Sequence, residues 1–191
     1  MEFLVLGLMM FLGLHSTRIF ADGWRSSLRA NIGEPRWKCI YGLGSIAGFA
    51  TFLRGFFEAG RDPEVLWVPP SYMHHVAAVL MMVSFILLTA AYIPHNSIKA
   101  RLHHPMTLGV MVWSLAHLLS NGQLHEVILF GSFLVWSVML LRSAIQRDAA
   151  AGTSYAAGTT GATVTTVLLG GFLALAFAHW IHQALIGVKP F

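Results

Sequence analysis

Six stretches of this chain are apolar over a length that calls for lipid rather than water. They run Phe3 to Phe20, Trp37 to Phe57, Val68 to Ile93, Pro105 to Leu119, Val127 to Leu141 and Thr163 to Ile186. A helix needs about 20 consecutive apolar residues to cross the hydrocarbon core. The fourth and fifth runs are short and reach across only when nearly upright. Charged residues make up 10% of the 191 positions and hydrophobic ones 56%, which leaves little to cover a water-facing surface. Helices satisfy their own backbone groups inside lipid, and long unbroken runs without polar–apolar alternation argue against a barrel. The expected fold is all-α: one polytopic membrane bundle of six transmembrane helices, a single domain over residues 1–191.

The first run begins with Glu2 and ends beside Arg18. That order is the reverse of a secretory signal, so the segment reads as a retained helix. Arg18, Arg25, Arg29, Arg36 and Lys38 surround the first loop, Lys99 and Arg101 the third, and Arg142 and Arg147 the fifth. The intervening loops and the C-terminus offer only Arg61 and Lys189, with Arg54 inside the second run near its exit. Positive charge gathers on the cytoplasmic side, so both termini are expected outside. The net charge of +4 is then a topology signal, and no nucleic-acid partner is expected. Cys39 is the single cysteine, which excludes an intrachain disulfide and any multi-cysteine metal cluster.

The loops carry further expectations. Ala21 to Arg36 reads as a basic loop with a turn at Asn31-Ile32-Gly33-Glu34-Pro35, lying beside anionic lipid heads. One of its arginines has an alternative use, pairing with a carboxylate of a bound ligand. Pro69-Pro70 opens the third helix, where missing amides cost nothing. Gln146 to Ala162 is rich in Ala, Gly, Thr and Ser and reads as a flexible linker. Gly42, Gly44 and Gly48 fall inside the second run and read as small-residue packing surfaces.

Ten histidines remain to be placed in this apolar chain. An imidazole inside lipid must find a partner, and it is a common ligand for zinc, copper and heme iron. His95, His103 and His125 fall in loops and are expected to be solvated. His104 begins the fourth helix at the cytoplasmic face, followed by Pro105. His15 lies about 20 Å from the outer face, with Arg18 three residues on along the same side. His117 lies roughly 20 Å in from the cytoplasmic face. Gly109, Trp113, Ala116 and Ser120 share its side, leaving room for a flat ring system. His179 and His182 are spaced i, i+3 on the last helix, and His74 and His75 enter the third helix from the same outer side. These outer histidines can crowd together, which suits a heme or a transition metal. Apart from Glu126 no carboxylate accompanies them within the helices, against a carboxylate-bridged di-iron centre.

Several blocks together are similar to a known family: His15-Ser16-x-Arg18, then His104-Pro105-x-x-x-Gly109-x-x-x-Trp113-x-x-Ala116-His117-Leu118-Leu119-x-Asn121-Gly122, Phe130-Gly131-x-Phe133, and His182-x-x-Leu185-Ile186-Gly187-Val188. Over essentially the whole chain they resemble NnrU proteins, which are associated with nitrite and nitric oxide reduction in denitrifying bacteria. The same domain resembles that of the plant 15-cis-zeta-carotene isomerases, membrane proteins that isomerise a polyene with heme b. The resemblance implies heme b here, with axial ligands at His15 and His117 and a shared His104-Pro105. Where the isomerases carry a cysteine three residues before the second ligand, this chain has Ser114. His15 and His117 differ by about 10 Å along the membrane normal, so His182 stands as a rival ligand.

Three functions follow from the resemblance. The first is a bis-histidine heme b protein of the bacterial inner (cytoplasmic) membrane, linked to nitric oxide and nitrite metabolism, with Trp113 beside the ring and Arg18 toward its propionates. The second is a heme-dependent cis–trans isomerase of an apolar polyene. The third is a non-enzymatic accessory factor for nitric oxide reductase, partnered with respiratory membrane proteins. The topology has its own test. In a Cys39→Ser background, a cysteine at Asp62 is expected to react with a membrane-impermeant thiol reagent in intact cells. One at Lys99 is expected to react only after permeabilisation.

Overall fold

The computed structural model describes residues 1–188 and Pro190, and every regular element among them is helical. Lys189, one of the two outer cations counted above, lies outside the described residues. The helices are α1 (Glu2–Phe20), α2 (Asp22–Ile32), α3 (Glu34–Ala59), α4 (Met73–Tyr92), α5 (Ser97–Leu102), α6 (Pro105–Ser120), α7 (Leu124–Ala151), α8 (Thr160–Ala176) and α9 (His182–Ile186), with a π-helical turn at Phe177–Ile181. Five stretches are long and apolar enough to cross a membrane: α1, α3, α4, α7 and the continuous Thr160–Ile186. The sixth expected span, α6, is apolar but has 16 residues, about 24 Å of helix. The protein is a multi-pass helical membrane protein, with five helices of spanning length among the described residues. The chain divides into two compact units, Met1–Val68 with Gly122–Leu140, and Pro69–Asn121 with Leu141–Phe191.

In the first unit α1 and α3 pack backbone against backbone. A side chain at Gly7 would strike the Phe52 backbone, one at Gly55 the Leu4 backbone, and one at Gly48 would stand 2.8 Å from the Phe11 amide nitrogen. Gly44 meets Leu14, while Gly42 faces open space, so the expected packing surface is real but excludes Gly42. The close approach brings Phe11, Phe49 and Phe52 into one ring cluster with Phe133 of α7, at centroid distances of 4.9–6.3 Å. The expected basic loop is largely a helix, α2. Gly33, at φ +84°, makes the break that α3 needs, and Pro35 occupies the first turn of α3, where a missing amide is harmless. The segment before Pro69 is tied to the start of α7: Leu66 and Trp67 donate to Gly122 O, and Leu124 donates to Glu64 O.

In the second unit α4 is flanked by α6 and α8. Gly109 admits Leu88, and the buried Ser84 hydroxyl donates to Gly109 O at 2.8 Å. Gly170 admits the Ile86 backbone. Pro69-Pro70 precede α4 rather than opening it, because the helix begins at Met73. The sharp turn after α4 is built on Asn96, 1% exposed. Its amide donates to Ala90 O and Ile93 O and accepts from Lys99 N, capping α5.

The expected linker at 146–162 is not free. α7 continues to Ala151, Thr159 N donates to His95 O, and Gly158 sits where a side chain would strike Ser97. His95 and His103, on either side of α5, are the described non-glycine residues with positive φ, at 55° and 62°.

The glycine contacts give a direct test. Gly55→Ala is expected to destabilise the folded protein by about 1–3 kcal/mol, because overpacking here meets backbone rather than a flexible side chain. Gly42→Ala, on open surface of the same helix, is expected to be neutral or to stabilise by up to about 1 kcal/mol. Thermal unfolding of the two variants side by side in detergent measures the difference.

Candidate functional site

The second unit contains a cleft of about 170 Å³ lined by Met81, Ser84, Phe85 and Leu88 of α4, Val110 and Trp113 of α6, and Phe177 of the π-helical turn. Ser84 is the polar member of the lining, and its hydroxyl is already engaged by Gly109 O. Two imidazoles stand at the rings of this lining. His117 is edge-on to Trp113 at 5.6 Å, and His182 is edge-on to Phe177 at 5.9 Å.

The His182 ring is oriented by its own C-terminal turn. Its Nδ1 lies 2.7 Å from Val188 O, and a carbonyl only accepts, so Nδ1 carries the proton. In the neutral ring Nε2 would then carry the lone pair that can bind a metal.

The π-helical turn sorts the histidines near this end. π-turns occur often at functional sites, and they break the ordinary helical phase. His179 is exposed within the turn, 5.9 Å from the Trp180 ring, while His182 reaches Phe177, five residues before it. His74 and His75 are exposed as well. Among the described residues no group of three or more His, Cys, Asp or Glu is placed to hold a metal ion. The expected crowd of outer histidines reduces to the pair His117 and His182.

His15 belongs to the first unit, half-buried on α1. Its Nδ1 lies 2.7 Å from Phe11 O, again placing the proton there and leaving Nε2 with a lone pair. The ring stacks on Phe11 at 4.2 Å and meets Tyr41 at 5.2 Å and Trp136 at 6.1 Å edge-on. The Trp136 indole nitrogen is buried without a hydrogen-bond partner among the described residues. Arg18, expected near the propionates of a bound ring, pairs with Asp22.

His104 sits at the N-terminus of α6 in the second unit. Its Nε2 is 3.0 Å from Asp148 Oδ2, a close contact without in-line hydrogen-bond geometry. The Tyr155 hydroxyl donates to the same carboxylate oxygen at 2.7 Å, and the Tyr155 ring lies flat on His103 at 4.1 Å. Partial burial, then the neighbouring Asp148 carboxylate, push the Tyr155 hydroxyl up to about 12.

His125 corrects a second expectation. It is 4% exposed rather than solvated, because α7 begins at Leu124 and turns the ring onto Phe56 at 4.8 Å.

Several of these residues escaped the sequence. Phe177 is adjacent to His182 only through the π spacing, and Trp136 meets His15 through tertiary packing. Tyr155 did leave a signal, as the lone aromatic in an otherwise small-residue stretch.

Tyr155 generates a pH prediction. Its folded pKa lies above the ordinary 10, so the stability it contributes is complete below pH 10 and is lost as pH rises toward 12. Tyr155→Phe is expected to cost about 0.5–1.5 kcal/mol at neutral pH. It should also remove that alkaline loss, read by unfolding at pH 8 and pH 11.

The block pattern of histidine, proline, glycine and tryptophan that builds α6 and its cleft can be set against known proteins. No curated protein and no solved structure matches the chain. The family model described as NnrU protein matches residues 3–190. With that match extending over nearly every residue of both units, this multi-pass helical protein belongs to the NnrU family.

Proposed function

We propose that this protein binds heme b in the membrane and that His117 and His182 would hold its iron. The observation that carries the reading is the pair of imidazoles set against Trp113 and Phe177, two rings of one apolar cleft. Val188 O holds the His182 Nδ1–H, the kind of partner that orients a metal-binding imidazole. The apolar lining suits the face of a flat ring, and neutral imidazoles suit iron. The volume of about 170 Å³ is below the ~300–1,000 Å³ of ordinary ligand clefts. The donor set thus fits the group, while the cleft must widen to receive all of it. Phe177, on the irregular turn, is the wall with the least regular hydrogen bonding behind it.

Heme, when bound, would supply an iron able to bind small ligands such as nitric oxide. In this chain Val188 O fixes the His182 ring, Trp113 flanks His117, and the apolar wall excludes water. The family's association with nitrite and nitric oxide reduction supports nitric oxide as the small ligand, at a bacterial inner membrane.

The cleft lining also favours a second reading, heme-dependent cis–trans isomerisation of a polyene, since an extended apolar chain matches a wall of Met81, Phe85, Leu88 and Val110. Ser114 is buried with no hydrogen-bond partner among the described residues and offers no thiolate to iron, which favours the first reading.

Protein purified after heme-replete expression is expected to show a Soret band with a six-coordinate, low-spin spectrum. His117→Ala and His182→Ala should each abolish that spectrum and weaken heme retention by at least about tenfold, while His15→Ala retains it. Absence of a Soret band overturns the proposal. Loss with His15→Ala but not with His182→Ala transfers the second ligand to His15, as the family resemblance implies. Unchanged zeta-carotene isomers after incubation with reduced, loaded protein overturn the second reading.

A further inference from the structure

The helix between the first two spans carries a surface unrelated to the cleft. Residues of α2 follow one another at about 100°, which sets Trp24, Leu28 and Ile32 along one side with Arg25 and Arg29 bordering it. No residue of α2 is buried. Trp24 is 59% exposed, and Phe20, just before the helix, is 70% exposed. A tryptophan and a phenylalanine so exposed are not held out by water-facing packing. They form an apolar stripe at the level where α1 ends and α3 begins.

The charges beside this stripe do not balance. Asp22 is shared by Arg18 and Arg25, and Glu34 is shared by Arg29 at 3.1 Å and Lys38 at 3.0 Å. Arg36, exposed in the first turn of α3, makes no ion pair among the described residues. Five cations around two carboxylates leave a surplus of three positive charges within one short segment. Arg25 is set apart from the others: it lies over the Trp37 ring at 5.6 Å and fastens α2 to α3.

We propose that α2 is an interfacial docking helix for anionic phospholipid headgroups. Trp24, Leu28 and Phe20 enter the acyl boundary while Arg29, Arg36 and Lys38 take the phosphates. A helix with an apolar stripe bordered by arginine lies in the plane of the interface. A juxtamembrane cluster of this kind favours an anionic leaflet. Two helices long enough to span a bilayer flank α2 directly, so the leaflet is always within reach. Ring contacts then lead inward from the docking face, from Arg25 to Trp37, from Trp37 to Tyr41 at 5.6 Å, and from Tyr41 to His15 at 5.2 Å. This inference does not depend on heme.

The test uses the full chain reconstituted in phosphatidylcholine vesicles with and without phosphatidylglycerol. Trp24→Cys in a Cys39→Ser background carries a polarity-sensitive dye, and lipids brominated high on the acyl chain serve as quenchers. Quenching by brominated phosphatidylglycerol is expected to exceed that by brominated phosphatidylcholine roughly twofold or more. The preference is expected to fall with added salt and to vanish when Arg29, Arg36 and Lys38 are all changed to glutamine. Equal quenching by the two lipids overturns the proposal. So does a dye reached only by aqueous iodide, which would leave α2 in water for a soluble acidic partner. If the triple variant does not fold, the salt titration of the singly labelled protein decides the matter alone.

Discussion

Each unit depends on helices that touch through glycine. Lipid offers no hydrophobic drive to bring apolar helices together, so van der Waals contact over closely matched surfaces has to serve. Gly7, Gly48 and Gly55 let α1 and α3 approach until backbone meets backbone, Gly170 does the same for α8 against α4, and Gly109 of α6 admits the Leu88 side chain of α4. Other features inherit their positions from these contacts. Phe11, which stacks on His15, is the residue whose backbone meets Gly48, and Ser84, which lines the cleft, bonds to Gly109 itself.

A second regularity concerns polar side chains. Several hydroxyls in these helices bond to a carbonyl of the preceding turn, among them Ser45 to Tyr41, Thr51 to Ala47, Thr89 to Phe85, Ser120 to Ala116 and Thr166 to Ala162. This local habit keeps a hydroxyl harmless in lipid without a tertiary partner. Against that background Ser114 and the Trp136 indole differ, since both are buried polar groups without a hydrogen-bond partner among the described residues. Each belongs to a unit that also holds a histidine whose Nδ1 proton is fixed by a carbonyl, His182 with Ser114 and His15 with Trp136.

Much of the architecture was legible because hydropathy acts over whole helices. Pro105 to Leu119 was read to within one residue of α6, since His104-Pro105 and Asn121-Gly122 punctuate it sharply. α7 was underestimated because its polar end, Arg142 to Ala151, leaves the apolar segment while remaining helical. α2 was read as a loop because Gly33 and Pro35 are strong breakers, and they do break the chain, but after the helix rather than throughout it. The candidate site was legible in part. His117 and Trp113 follow from helical spacing on one helix, whereas the contact of Phe177 with His182 depends on a change of helical type that periodicity assumes away. The tie of Tyr155 to Asp148 and His103 spans residues that no local pattern connects.

The π-helical turn also has a meaning as a measure of length. Between α8 and α9 the chain contains about one residue more than a straight α-helix of the same rise requires. The surplus cannot be absorbed by stretching, so it appears as phase, and everything beyond Phe177 is turned about the helix axis relative to α8. A chain shortened by one residue here would keep its composition, its hydropathy and its span of lipid, yet His182 would no longer meet the Phe177 ring. The chemistry of this end of the molecule is therefore encoded in a residue count as much as in residue identity.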